Sequence, residues 1–154
     1  MYKDLWNDAR SANRQREARG YLRNAIEEYR RGFEADWRDA YPGINAVTLM
    51  AISGDEAGVS ELLPIVRYSA KRRVVAGELD YWDHATLLEL AVIGRNASDA
   101  ERRAGDALTA LREGWEAETT ANNLRLLRES RHDHPTWATE IEEELKRAAA
   151  ERSP

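Results

Sequence analysis

Between Trp37 and Thr48 the chain sets Trp37, Arg38, Tyr41, Asn45 and Thr48 close together, residue types that suit the recognition of a nucleotide or another planar anion. An aromatic ring at Trp37 or Tyr41 can stack on a base, and the Arg38 guanidinium can fork onto a phosphate or carboxylate. Asn45 and Thr48 lie about one helical turn apart, so both can face one groove. If Asn45 sits in a first helical turn, the free amides there favour an anion. The competing reading has Trp37 and Tyr41 plugging the space between helices while Arg38 pairs with Asp36 or Asp39.

A second group, Trp82, His84 and Thr86, opens a later helix at the equivalent place. If successive first helices of a repeat line one face, His84 and Thr86 lie near Asn45 and Thr48, and the two groups make a pocket. Trp82 can equally be core, and His84 can equally serve as a helix cap. Arg67, Lys71, Arg72 and Arg73 form a basic stripe, read either as a solvated face or as a phosphate contact through Arg67 or Arg72. His132 and His134 flank Asp133, but no third ligand follows at a helpful spacing, so no metal is expected. A glycine-rich phosphate loop, a nucleophile elbow and an HExxH pattern are all missing from the sequence. The carboxylates fall on helix faces with charge partners three or four residues away, so catalysis is not expected.

These side chains need a frame, and the periodicity supplies eight helical segments joined by short loops. The first is expected over about residues 2 to 17, and the second over about 19 to 35, with Leu22, Ile26, Tyr29 and Phe33 on one face. A third follows Pro42-Gly43, because proline cannot continue a helix and glycine relieves the turn. A fourth starts near Ser60 to Leu63, with Pro64 in its first turn, and ends at Gly77. The fifth, from about Tyr81 to Ile93, is apolar on most of its circumference and must be wrapped by neighbours. The sixth opens on a capping box of Ser98 and Glu101 and carries Ala104, Ala107, Leu108, Leu111 and Trp115 on its face. The seventh covers about Glu118 to Arg131. The eighth, residues 136–152, sets Trp137, Ile141 and Leu145 at a four-residue step and reads as a terminal cap. Helix starts near Asn45, His84 and Ala121 recur at roughly 37 to 39 residues, close to the period of helical-hairpin solenoids. The fold class is therefore all-α, a tetratricopeptide-like helical-hairpin solenoid of about seven or eight helices in one domain.

Bulk composition narrows the function classes. At 154 residues, 42% hydrophobic and 33% charged, the chain can bury a core. No cysteine is present, which removes disulfides, thiolate metal sites and cysteine nucleophiles. No apolar run approaches the roughly 20 residues of a membrane span, and the N-terminus lacks a signal-peptide core, so the expected location is cytoplasmic, away from membranes. The net charge of −5 argues against nucleic acid as a partner. Lysine occurs only at Lys3, Lys71 and Lys146, so nearly all the positive charge is arginine.

Four segments, in order, carry a resemblance. Met1-Tyr2-Lys3-Asp4 is similar to the end of a GR-x-YKD motif, and Ala25 to Asn45 is similar to AIE-x-YR-x-GFE followed by Y-x-GIN. Asp80-Tyr81-Trp82-Asp83 is similar to NYWD, and Trp115 to Leu127 to a later W-x-x-x-x-x-x-N-L-L segment. Over residues 1 to 131 the chain thus resembles the TRAFs-binding domain, the tetratricopeptide-like central regulatory domain of apoptosis-signal-regulating MAP kinase kinase kinases, and its bacterial relatives. The resemblance implies a non-catalytic regulatory module without a cofactor, coupled to an effector or signalling domain in cis or in trans. It also implies that the chain is a fragment of a longer one, since it starts inside the YKD motif. Through the bacterial relatives it implies a sensor of a conflict or defence system that recognises an NAD-derived nucleotide. The expected ligand-binding set is Arg38, Tyr41, Asn45, Thr48, Arg67, Trp82, His84 and Thr86. The alternative is a pure interaction scaffold that takes a partner helix or peptide.

Overall fold

The computed structural model describes residues 1–76 and 80–152, and Gly77, the expected end of the fourth helix, lies outside the described residues. Eight helices appear among the described residues: α1 (Tyr2–Ser11), α2 (Gln15–Ala35), α3 (Ala40–Ser53), α4 (Glu56–Ala76), α5 (Tyr81–Ile93), α6 (Ala97–Ala110), α7 (Gly114–Ser130) and α8 (Thr136–Glu151). They pack as four hairpins, α1 with α2, α3 with α4, α5 with α6 and α7 with α8. The helices α3, α5 and α7 also touch one another, and α6 touches α8, which is the layering of a tetratricopeptide-like solenoid. No helix among the described residues is long and apolar enough to cross a membrane.

Several boundaries differ from the periodicity, each for a local reason. The first two helices part at Asn13, whose φ of 59° is a left-handed conformation that asparagine tolerates, so α1 ends earlier and α2 begins earlier than expected. Helix α3 starts before Pro42-Gly43. Asp39 caps it by accepting from the Tyr41 amide at 3.1 Å, and Pro42 falls in the first turn, where its missing N–H costs nothing. Asn45 therefore lies past the first turn, and the free-amide argument for an anion there does not hold.

Helix α4 begins at Glu56, so Pro64 sits inside it rather than in its first turn. Ser60 and Pro64 are both exposed, so water can take the carbonyl that loses its partner. Asn96, not Ser98, caps α6 by accepting from the Asp99 amide at 3.2 Å. Trp115 belongs to α7, not α6. Glu116 folds back to accept from the Arg112 and Glu113 amides at 3.0 and 3.2 Å, which starts α7 at Gly114. The helices α3, α5 and α7 start at Ala40, Tyr81 and Gly114, an uneven interval rather than the steady period expected.

The main core runs from Phe33 through α3, α4, α5, α6 and α7 to Leu145, while Trp6, Ala9, Ala18, Leu22, Ala25 and Leu49 make a smaller cluster that seats α1. Gly43 is where α3 meets its neighbours most closely. A Cβ there would lie 2.7 Å from Val66 Cγ2 and 2.8 Å from Phe33 Cδ1. Gly43→Ala is therefore expected to destabilise the fold by about 1 to 3 kcal/mol despite the better helix propensity of alanine. Thermal unfolding checks this, with Tm falling by roughly 2 to 4 °C for each kcal/mol lost; an unchanged Tm would show that α3 can move away at no cost.

Candidate functional site

A groove of about 350 Å³ opens on the face shared by α1, α3, α5 and α7. Helical spacing selects its lining. From α3 come Tyr41, Ile44, Asn45, Thr48 and Ile52, residues three or four positions apart on one stripe. From α5 come Trp82, Ala85, Thr86 and Glu89, from α7 Thr119, Asn123 and Leu126, and from α1 Lys3 and Trp6. An adjoining cleft of about 460 Å³ shares Tyr41, Trp82 and Thr86 with the groove and extends past Arg38 and Arg73.

Of the residues singled out from the sequence, Tyr41, Asn45, Thr48, Trp82 and Thr86 line the groove together. Arg38 stands in the adjoining cleft with its Nε donating to Asp36 Oδ1 at 2.9 Å. Trp37 and Tyr41 are 55% and 66% exposed, so neither plugs a core. Trp82 packs at the edge of the main core and meets the Trp115 ring at 5.7 Å between centroids.

His84 and Arg67 lie elsewhere. His84 is two residues from both Trp82 and Thr86, which turns it to the opposite side of α5; it is buried there, 4.0 Å from Asp106 of α6. Arg67 pairs with Asp99 of α6 at 3.5 Å on the outer layer. The remaining basic stripe is divided in the same way, since Arg73 pairs with Asp83 at 2.6 Å while Arg72 lines a separate surface cleft beside Trp37 and Tyr68. Among the described residues no group of three or more metal-ligating side chains comes together.

The groove also holds residues that periodicity did not single out. Lys3 reaches across from α1 and donates from Nζ to Asn45 Oδ1 at 3.0 Å, while Asn45 Nδ2 donates to the Tyr41 carbonyl at 2.9 Å. Glu89 is only 9% exposed, and its Oε1 accepts from Asn123 Nδ2 at 2.9 Å. Burial pushes the Glu89 carboxyl up to about 7, against the opposing pull of the Asn123 hydrogen bond and the Lys3 charge. The available signal was a lone carboxylate inside the apolar run Leu87-Leu88-Glu89-Leu90-Ala91.

The cleft carries more acid than base. Asp36, Asp39, Asp80 and Asp83 face Arg38 and Arg73, and each arginine is already paired with one of those aspartates. Asp39 and Asp80 cap α3 and α5. The exposed Tyr41 lines this acidic cleft, and the exposed Trp115 stands against Trp82 of its lining.

Comparison with known proteins is consistent along nearly the whole chain. Residues 1–147 match the family described as the MAP3K TRAFs-binding domain. Over 116 residues the chain is 30% identical to the mitogen-activated protein kinase kinase kinase nsy-1 of Caenorhabditis elegans, an alignment covering 72% of this chain and 8% of that protein. No solved structure matches.

Glu89 makes stability depend on pH in a definite direction. The folded state keeps the Glu89 proton up to about pH 7, whereas the ordinary value for the side chain is 4.5. Its contribution is fully present below about pH 4.5 and is lost as pH rises through about 7. Glu89→Gln keeps an acceptor for Asn123 without the charge. It is expected to match the wild type near pH 4 and to exceed it by on the order of 3 kcal/mol above pH 8. Urea unfolding of both proteins at the two pH values measures the difference, and equal stability at high pH would contradict the assignment.

Proposed function

The chain belongs to the MAP3K TRAFs-binding domain family, whose members are non-catalytic helical regulatory modules, and on that premise we propose that it holds a segment of a partner protein in the groove of α1, α3, α5 and α7. Occupancy of that groove is relayed to an effector attached to the same chain or associated with it. The observation that carries this reading is the groove itself. Its floor is apolar, with Trp6, Ile44, Leu49, Ile52, Ala85 and Leu126, and its rim places polar side chains where a backbone or side chain can bond to them. The family description points to TRAF proteins as one partner class.

The competing reading, implied only by the resemblance to bacterial sensor domains, is an NAD-derived nucleotide across the groove and the adjoining cleft, with Tyr41 and Trp82 stacking a base and Arg38 holding phosphate. Charge speaks against it. Four aspartates stand around the two arginines of the cleft, and both guanidiniums are engaged. A diphosphate would have to displace those pairs and face the remaining carboxylates.

Two measurements separate these readings. A photo-crosslinking amino acid at Tyr41 is expected to capture a protein in cells of the source organism, whereas the same group at Glu101, on the exposed face of α6, captures none in common with it. Thr48→Trp, which fills much of the groove, abolishes that adduct. NAD, ADP-ribose and cyclic ADP-ribose are expected to leave Tm unchanged, although a ligand at about 100 times its Kd would add about 2.7 kcal/mol. A shift with any of these nucleotides that Thr48→Trp removes would overturn the protein-segment reading in favour of a nucleotide sensor.

A further inference from the structure

Glu89 is buried in the groove wall, yet among the described residues no arginine or lysine is bonded to it. Oε1 accepts from the Asn123 amide, and Oε2 has no hydrogen-bond partner among the described residues. Among the described residues, the fully buried Glu142 and Glu116 are treated differently. Glu142 receives Arg128 through two bonds and Lys146 through a third, and Glu116 receives the Arg112 guanidinium and two backbone amides. The cation whose charge acts on Glu89 is Lys3, through space, while its ammonium is bonded to Asn45. A largely buried carboxylate that keeps a single neutral donor from the protein loses hydration that an incoming cation can offset.

Continuity with the acidic cleft adds a second, independent observation. Through Tyr41, Trp82 and Thr86 the groove runs into the rim of Asp36, Asp39, Asp80 and Asp83. Four aspartates against two arginines leave the cleft end of this face formally negative, and the aromatic faces of Tyr41 and Trp82 also favour a cation. Apolar positions on either side of Glu89, Ile44 and Ala85 among them, accept an aliphatic stem.

We propose that the groove selects a partner segment bearing a lysine or arginine among apolar residues, with that side chain seated on Glu89 and Asn123 at the groove wall. The inference rests on the groove being a protein-docking face and adds the chemistry of what it takes. Seating the cation makes Glu89 give up its proton, so binding tightens as pH rises from about 6 to 8 while a lysine or arginine stays charged. The titratable groups whose charge reaches Glu89 are Lys3 on α1 and Tyr81 on its own helix. Burial pushes Tyr81 up to about 12, so it is silent in that range. From α3 and α7 the groove presents the uncharged Asn45, Thr48, Thr119 and Asn123, and no charged group of α4 or α6 among the described residues acts on Glu89.

The test selects a phage-displayed library of random peptides of about 11 residues, three helical turns, on the whole chain, with counter-selection on Thr48→Trp. The expected peptides carry a lysine or arginine between apolar residues. Their affinity rises from pH 6 to pH 8, and titration calorimetry in two buffers of different ionisation enthalpy shows proton release at pH 7. Glu89→Gln, which keeps the Asn123 bond, is expected to weaken them at least about thirtyfold and to flatten the pH dependence. Recovery of acidic or uncharged peptides that bind Glu89→Gln as tightly as wild type would overturn the selection of a basic residue and leave the docking groove standing. Failure to recover any peptide that Thr48→Trp rejects would remove the groove as a docking face, and this inference with it.

Discussion

From Tyr81 to Ile93 only Trp82, Asp83 and Thr86 escape full burial, because α3, α4, α6 and α7 all pack against α5. A helix enclosed on so many sides finds its side-chain hydrogen-bond partners mostly within the protein, although His84 Nδ1 and Glu89 Oε2 have none among the described residues. The Tyr81 hydroxyl donates to Thr120 at 2.8 Å, and the Ile93 carbonyl accepts from Arg131 at 3.1 Å. Glu89 is bonded to Asn123. All three bonds join α5 to α7 or its C-terminal cap, so the enclosure of one helix ties neighbouring hairpins into register. The three residues left partly open all line the groove or the cleft, beside the buried Ala85 and Glu89.

Buried charge follows two regimes in this protein. For Glu142, burial opposes the charge, but the forked Arg128 and Lys146 outweigh it and hold the carboxyl below its ordinary value. Burial likewise opposes the charge of Glu116, and the amides of Arg112 and Glu113 with the Arg112 guanidinium prevail. These two act as fastenings, one between α7 and α8 and one at the start of α7. Glu89 has an amide where the others have guanidinium, and there burial wins. A side chain poised near neutrality on a groove wall differs from both in what it can do, since a ligand's charge can change its protonation.

Much of the fold is legible from residue spacing. The all-helical class follows from apolar positions three and four apart, and the enclosure of α5 follows from apolar residues on nearly every side of Tyr81 to Ile93. The helix ends were harder to read because caps are made by side chains whose partners are chosen locally. Asn96 rather than Ser98 begins α6, and Glu116 begins α7 by reaching back to Arg112 and Glu113. Proline misled in both directions. Pro42 lies within the first turn of α3, and Pro64 lies inside α4, tolerated because Ser60 beside it is open to water.

The site divides along the same line. By itself the sequence determined that Asn45 and Thr48 share a helical face, since that needs only the helical repeat, whereas the expectation that His84 joins Thr86 beside them did not hold. Only the tertiary structure decided that this face meets Trp82 and Thr86, that His84 turns away toward Asp106, and that Lys3 and Asn123 come from distant helices to join them. The role of Glu89 belongs wholly to this second kind. Its surroundings are contributed by α1, α3 and α7, and the desolvation that sets its charge depends on how closely those helices pack, a distance that no periodicity along one chain segment encodes.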